Sequence, residues 1–116
     1  MKMTHERTDG DITLIRLAGR LDREGSEAID HDFTAHAASH QAWVVVDLSA
    51  VTFLASVGMR TLISAAKAQT RLGGRLVLLA PAPKVRDTLT TAGIHVIIPV
   101  FDDLEAATRS LRGNGP

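Results

Sequence analysis

The sequence contains no cysteine, and only 3% of its 116 residues are aromatic. Without cysteine the chain can form neither a disulfide nor a thiolate nucleophile, and this absence fits a reducing compartment. We therefore expect a cytoplasmic protein. Because aromatic side chains are so few, the core must consist mainly of aliphatic side chains of Leu, Val, Ile and Ala.

A net charge is absent as well, because 13 basic side chains balance 13 acidic ones. A protein that neutralises nucleic-acid phosphates usually carries an excess of Lys and Arg, so the composition argues against nucleic acid as a partner. No block of like charge indicates a membrane-surface patch. No apolar run reaches the roughly 18 residues that span a bilayer, and the opening M-K-M-T-H-E-R lacks the apolar middle of a secretory signal. We expect no direct membrane insertion.

The length is typical of one domain with one core, which we place at residues 1–112, with 113–116 as a flexible C-terminal tail. T-D-G-D (8–11) is typical of a turn between two strands. Strand-like and helix-like segments then alternate, which predicts an α/β fold with a mixed, mainly parallel sheet in β-β-α-β-α-β-α-β-α order. The predicted strands are 3–7, a second that starts at 12 and is ended by G-R-L-D (19–22), 43–46, 76–79 and 96–98; the predicted helices are 23–40, 56–72, 84–92 and 104–111.

Two apolar runs, W-V-V-V (43–46) and L-V-L-L (76–79), are typical of strands buried on both faces of a parallel sheet. Asp47 is expected to end the first run. The helix 56–72 has the clearest apolar stripe, and Gly73 and Gly74 stop it. The side chains expected to face the core are Ala28, Ile29, Phe33, Ala35 and Ala37 in the first helix, and Met59, Leu62, Ile63, Ala66 and Leu72 in the second.

Motifs for catalysis and metal binding are largely missing. Leu54 occupies the place of the first glycine of a G-x-S-x-G nucleophile elbow, and no P-loop occurs. His36 and His40 are spaced i, i+4, but no third ligand follows at a diagnostic spacing, so a solvated helix face is favoured over a metal site. Asp47 lies where a phosphoacceptor aspartate would lie in an open α/β sheet, but the acidic pair and lysine of receiver domains are not evident. We interpret Asp47 as fixing the following loop, and we expect no cofactor and no metal.

The stretch F-L-A-S-V-G-M-R (53–60) connects a buried strand to the best helix. Ser56 can serve there as an N-cap, accepting a backbone N–H of the first turn. It can also serve as a phosphate acceptor, because free N–H groups and the positive end of the helix dipole accommodate an anion. Gly58 would leave the first turn bare for a close approach. If exposed, three apolar side chains would form a rim around the serine: Leu54, Val57 and Met59.

The longer stretch D-L-S-A-V-T-F-L-A-S-V-G-M-R (47–60) resembles the signature of the STAS domain family, most closely that of bacterial anti-sigma-factor antagonists. G-R-L-D (19–22) resembles a second hallmark of this family. The similarity places the family's phosphorylated serine at Ser56, with Ala55 and Val57 where the family usually has an acidic residue and a hydroxyl. The rest of the chain fits as well, through L-G-G (72–74), L-V-L (76–78) and A-G-I (92–94).

The resemblance implies partner switching with no catalysis by this chain. The unphosphorylated antagonist would bind an anti-sigma factor that is also a serine kinase, a histidine-kinase-like ATPase, and so free a sigma factor to regulate transcription. Phosphorylation of Ser56 would end the complex, and a metal-dependent serine phosphatase would restore it. Asp22 and Asp47 are expected to fix loops. The expected partner surface consists of Leu54, Ser56, Val57, Gly58, Met59 and Arg60.

Two other functions remain open. In the STAS family, the same fold also occurs as a subunit of lipid-transport ABC transporter complexes. Such a subunit docks on an ATPase and needs no phosphorylation. Ala55 and Val57 keep this alternative open. A small hydrolase that uses Ser56 as a nucleophile would need a base close to the serine, and the sequence shows none nearby.

Overall fold

The computed structural model describes residues 1–8 and 10–113, so residues 114–116 of the predicted tail lie outside the described residues. The strands are β1 Lys2–Thr8, β2 Ile12–Leu21, β3 Trp43–Leu54, β4 Arg75–Leu79 and β5 Val100–Phe101. The helices are α1 Arg23–Ala37, α2 Ser56–Leu72, α3 Pro83–Thr91, α4 Ile94–Ile97 and α5 Leu104–Arg112. Within these described ranges, no helix has both the length and the apolar character needed to cross a membrane.

The strands form one sheet in the order β1-β2-β3-β4-β5. β1 pairs antiparallel with β2, whereas the other three neighbouring pairs are parallel. The prediction of a mixed, mainly parallel sheet is therefore confirmed. The hairpin turns at Gly10, whose φ of 84° is a left-handed conformation that glycine adopts without a steric penalty. Each parallel connection contains at least one helix, as a crossover between parallel strands requires.

Two hydrophobic clusters cover the two faces of the sheet. Side chains alternate along β3, so that Val44 and Val46 belong to the larger cluster and Val45 to the smaller one. Residues of α1, α2, α3 and α4 complete the larger cluster, and α5 completes the smaller one. The buried members are aliphatic apart from Phe33, as the composition requires.

Strand β3 is longer than predicted, and Asp47 does not end it. Pairing with β4 stops at Asp47, which lies opposite Leu79. Pairing with β2 continues as far as Leu54, which lies opposite Leu21, and includes two register shifts on the way. The continuous apolar run therefore marks only the part of β3 that has neighbours on both sides. The second half of the strand carries the chain to the start of α2.

The predicted strand at 96–98 is wrong. Residues Ile94–Ile97 form the single helical turn α4, and the last strand is Val100–Phe101. The side chain of Val96 is 80% exposed, so its β-branched shape does not determine the local structure. The N–H of Ile98 donates to the Ile94 carbonyl at 2.8 Å, which closes the turn before the chain reaches β5.

The inward faces of the two long helices are only partly as predicted. In α1, Ile29, Phe33 and Ala37 are buried, but Ala28 and Ala35 are exposed. Helix α1 also ends at Ala37, three residues before the predicted end. In α2, Leu62 is fully buried, and three further predicted side chains pack partly buried against the larger cluster: Met59, Ile63 and Ala66. The exposed Leu72 is the exception.

A buried polar side chain, Gln69, joins α2 to the segment between α1 and β3. It is 0% exposed. Its Oε1 accepts the N–H of Ala42 at 2.9 Å, and its Nε2 donates to the carbonyls of Ala37 and His40 at 2.7 and 2.9 Å. One amide group thus forms hydrogen bonds with three backbone groups at the end of α1 and in the segment that leads to β3. Regular helix and sheet hydrogen bonds are not available to these groups.

Replacing Gln69 by Leu should destabilise the fold by at least about 3 kcal/mol. The apolar side chain has a similar size but leaves buried backbone groups without partners, and each such group costs roughly 1–3 kcal/mol. Urea denaturation should show a lower midpoint with an unchanged slope. Gln41→Leu is the matched control, because Gln41 is exposed and donates one hydrogen bond to Gly73 O at 3.0 Å. An equal loss in both variants would contradict this account of Gln69.

Candidate functional site

The candidate site lies where β2 and β3 end and α1 and α2 begin. Leu21 and Leu54 are opposite each other at the ends of the two parallel strands. One residue after β3, the N–H of Ala55 donates to the Leu21 carbonyl at 3.0 Å. This hydrogen bond fixes the point at which the chain leaves the sheet. Because β2 and β3 are parallel, both helices start at the same edge, and their N-termini lie side by side.

Ser56 is the first residue of α2, and its side chain is exposed. The N-cap is Ala55, with φ −95° and ψ 169°, and the Ala55 carbonyl accepts the N–H of Met59 at 3.0 Å. Of the two roles considered for Ser56, the N-cap is therefore not observed, because the helix starts one residue earlier than that role requires. Within the described part of the chain, the Ser56 hydroxyl has no hydrogen-bond partner. It lies beside the free N–H groups and positive dipole end of a 17-residue helix.

Gly58 and Leu54 do not belong to an exposed rim. Gly58 is buried, and a Cβ atom at this position would lie 2.5 Å from the Leu21 carbonyl oxygen and 2.7 Å from Leu21 Cγ. Leu54 is 6% exposed and belongs to the larger cluster. Glycine is therefore required so that the first turn of α2 can pack directly on the end of β2. The glycine does not serve to leave the turn bare for a partner. The expected partner surface is therefore corrected, because Leu54 and Gly58 are buried and not exposed.

The other residues of the expected surface differ in exposure. Val57 is half-buried and faces the space between α1 and α2. Met59 is half-buried and packs against the larger cluster. Arg60 is exposed and lines the same space between the helices as Val57. Ser56 and Arg60 therefore contribute most of the accessible polar surface in the first turns of α2, with Val57 as an apolar neighbour.

Asp22 caps α1 at the same edge of the sheet. Its Oδ1 accepts the N–H of Gly25 at 2.9 Å, and its Oδ2 lies 3.2 Å from Nε of Arg20. The backbone hydrogen bond from Gly25, and to a lesser extent Arg20, hold the pKa of Asp22 below its ordinary value of 3.8. The carboxylate thus orders the connection between β2 and α1 in its charged form.

Arg20 and Phe53 form a stacked pair that sequence reasoning missed. They are opposite each other in the β2–β3 register, and the guanidinium carbon lies 4.2 Å from the centre of the Phe53 ring. Phe53 is 42% exposed. The cation–π contact and the Asp22 carboxylate hold the guanidinium group from two sides. Only the parallel register, including its bulges, brings the two residues together, and the sequence offered no signal for that register.

Asp47 lies inside β3, so it does not fix a loop after the strand. Its Oδ1 accepts the N–H of Ser49 at 2.9 Å, and its Oδ2 is 3.8 Å from Nε of Arg16. The β2–β3 register shifts between Arg16 and Ala18. The carboxylate therefore satisfies a backbone N–H where the ladder with β2 becomes irregular and β4 no longer pairs.

The histidines of α1 form no metal site in the described residues. The ring of His36 stacks on that of His5 with centroids 3.7 Å apart, and His36 Nδ1 is 2.9 Å from the Asp32 carbonyl oxygen. His40 instead contributes its carbonyl to the Gln69 network. No group of three or more potential His, Cys, Asp or Glu ligands occurs among residues 1–8 and 10–113.

Replacing Gly58 by Ala should destabilise the protein by about 1–3 kcal/mol, because the methyl group overlaps backbone as well as side-chain atoms of Leu21. Urea denaturation measures this loss. Ser56→Ala is the control in the same turn. It removes an exposed hydroxyl and should change the stability by less than about 0.5 kcal/mol. A Gly58→Ala variant as stable as the Ser56→Ala variant would show that the close approach to β2 is not needed.

The lowered pKa of Asp22 predicts a pH-dependent stability difference between the wild type and Asp22→Asn. Asparagine retains the capping acceptor but not the charge. A depressed carboxylate pKa contributes stability that is full above the unfolded pKa and is lost as pH falls through the folded pKa. The urea midpoint of the wild type should exceed that of the variant at pH 7, and this difference should vanish by about pH 2. A difference that does not change with pH would contradict the charge-based cap, and Asp87→Asn, at an exposed carboxylate in α3, is the control.

Comparison with known proteins identifies the family to which the chain belongs. The chain is 29% identical over 112 residues to BtrV of Bordetella bronchiseptica, assigned as an anti-sigma factor antagonist, with 97% of this chain and 96% of that protein covered. An anti-sigma factor antagonist from Mycobacterium paratuberculosis has a similar structure, with a TM-score of 0.85, 25% identity and coverage of 96% and 93%. Unphosphorylated SpoIIAA shares the fold, with a TM-score of 0.76, 22% identity and coverage of 99% and 100%. The STAS domain matches residues 4–107, and the chain belongs to the STAS domain family.

Proposed function

We propose that this protein is an anti-sigma-factor antagonist that acts by partner switching through Ser56. When the Ser56 hydroxyl is free, the protein binds an anti-sigma factor. When Ser56 carries a phosphate, the protein releases the anti-sigma factor. The single observation that carries the proposal is the position of this hydroxyl. It is exposed on the first residue of α2 and is not used as a helix cap. A kinase can therefore reach it without unfolding the helix.

A phosphate on Ser56 would be well accommodated by its own chain. The free N–H groups of the first turn and the helix dipole favour an anion. Arg60 lies four residues further along α2, the spacing at which oppositely charged side chains on one helix face interact. The first turn of α2 contains no acidic residue that would repel the phosphate. Ala55 in place of the family's usual acid thus removes one like charge next to the modification.

The same phosphate would oppose the docking of a partner. It adds about two negative charges to a surface that otherwise presents Ser56, Val57 and Arg60. A partner must then either meet this charge or desolvate it, and a penalty of ~2–5 kcal/mol weakens binding by roughly 30- to several-thousand-fold. The rigid packing of Gly58 on Leu21 keeps the helix start in place, so the switch acts through charge and not through refolding of the site.

The relatives provide a precedent for two states of one fold. SpoIIAA, the relative of similar fold, has been solved both unphosphorylated and phosphorylated. By analogy, the partner of this chain is an anti-sigma factor with serine kinase activity, a histidine-kinase-like ATPase, and a metal-dependent phosphatase removes the phosphate. The chain acts as binding module and substrate, in the cytoplasm. Hydrolysis by Ser56 itself is disfavoured, because a nucleophilic serine needs a hydrogen-bonded base, and Ser56 has none among the described residues.

The test is a pull-down from extract of the native cell with wild-type protein and with Ser56→Asp, which places a negative charge where the phosphate would be. We expect the wild type to retain an ATPase of the kinase type, and Ser56→Asp to bind it at least 30-fold more weakly. Intact-mass measurement of the wild type after incubation with this partner and ATP should show one added phosphate, which Ser56→Ala should not acquire.

Thr4→Asp is the matched charge control, because Thr4 is exposed on β1, two strands away from β3. It should bind as the wild type does, and the circular dichroism of both Asp variants should be unchanged. Equal binding by wild type and Ser56→Asp would refute the switch. Recovery of a transporter ATPase with no phosphorylation would instead support a subunit of a lipid-transport complex, the alternative that Ala55 and Val57 keep open.

A further inference from the structure

The two strands that lead to the candidate site are open on one face near their ends. Leu21 and Leu54 belong to the larger cluster, on the face that α1 and α2 cover. Because side chains alternate along a strand, the preceding residues, Arg20 and Phe53, lie on the opposite face. Among the described residues, the smaller cluster on that face takes its members from only the first halves of β2 and β3. Arg20 and Phe53 are therefore exposed on the sheet, next to the edge that holds Ser56.

The guanidinium group of Arg20 is held in one orientation. Its carbon lies 4.2 Å from the centre of the Phe53 ring, and its Nε lies 3.2 Å from Oδ2 of Asp22. The ring thus covers one flat side of the group, and the carboxylate occupies its Nε edge. Neither Nη group bonds to another described residue, and the side chain is 62% exposed. The outer end of this oriented cation is therefore available to a group from outside the chain.

The chemistry of the free end fits a carboxylate. The two Nη groups can donate one hydrogen bond to each oxygen of a carboxylate, which is the bidentate geometry that a planar guanidinium provides. A cationic group would be repelled, and a single carbonyl oxygen would use only one of the two donors. The exposed ring of Phe53 adds an apolar surface beside the fork. Arginine and aromatic side chains are also the types that are enriched at protein–protein interfaces.

We infer that Arg20 binds an aspartate or glutamate side chain of the partner protein, and that Phe53 positions the guanidinium for this contact. The inference rests on the proposed function in one respect: the carboxylate belongs to the protein that docks at Ser56. The contact extends the docking surface from the start of α2 onto the open face of the sheet. It also gives the phosphate a second effect, because a phosphate on Ser56 repels a carboxylate that is brought to the same edge.

The test measures binding of unphosphorylated variants to the ATPase that the wild type retains from cell extract. Arg20→Ala should bind this ATPase at least about tenfold more weakly than the wild type does. Arg20→Lys should not restore full binding, because lysine keeps the charge but lacks the planar fork. Raising NaCl from about 50 to about 500 mM should weaken the wild type more than Arg20→Ala, since salt screens an exposed ionic contact. Thermal melting followed by circular dichroism checks that each variant is folded.

Arg109→Ala is the matched control, because Arg109 is also an exposed arginine with an acidic neighbour, Glu105, but lies on α5. It should bind the ATPase as the wild type does. Charge reversal identifies the other side of the contact. Arg20→Glu should lose binding, and one partner variant in which an Asp or Glu is replaced by Arg should restore it.

Two results would overturn the inference: wild-type binding by Arg20→Ala, or failure of every reversed partner residue to restore binding to Arg20→Glu. Wild-type binding by Arg20→Ala is also what we expect if the fork serves only the phosphate of Ser56 in the same chain. Weaker binding by Arg20→Ala together with unchanged binding by Ser56→Asp would refute the phosphorylation switch and support the contact at Arg20. The two proposals can therefore fail separately.

Discussion

The contact between the start of α2 and the end of β2 is the constraint on which the functional edge depends. The Leu21 carbonyl accepts the N–H of Ala55, and the absence of a side chain at Gly58 lets the first helical turn lie against Leu21. These two contacts make Ala55 the cap and leave Ser56 as the first residue of the helix. The accessibility of the serine hydroxyl therefore follows from how its neighbours pack. A serine one position earlier in the chain would have been used to cap the helix.

Near the C-terminus of α2, Gln69 also fixes the position of the helix, but through hydrogen bonds. It satisfies backbone groups on both sides of the connection between α1 and β3, and so holds α2 to that connection. Helix α2 is thus fixed near its N-terminus by close packing and near its C-terminus by hydrogen bonds. Between these points lies a groove that is lined by residues of both α1 and α2. A surface cleft of this kind is compatible with a stable fold because the two ends of α2 are held independently.

Much of the fold was accessible from the sequence because it depends on local patterns. The bounds of α2, Ser56–Leu72, agree with the prediction, since an apolar stripe and two glycines mark them. The incorrect predictions concern features that depend on contacts between residues far apart in the sequence. The apolar run 43–46 marks the doubly paired half of β3, but only the pairing with β2 extends the strand to Leu54. Likewise, the burial of Gly58 depends on Leu21, which is 37 positions earlier in the sequence.

The functional residues show the same division. The family resemblance predicts which serine accepts a phosphate. It does not predict whether that hydroxyl is free, because this depends on a hydrogen bond at the ends of two strands. The stack of Arg20 on Phe53 likewise depends on a register that no local pattern encodes. The stack of Arg20 on Phe53 has a consequence for the entropy of binding. A free arginine side chain has about 2 kcal/mol of rotamer entropy, much of which is lost when it is immobilised on binding. Since the ring and the Asp22 carboxylate already restrict this guanidinium in the unbound protein, a group that contacts it meets a side chain with few rotamers left to lose.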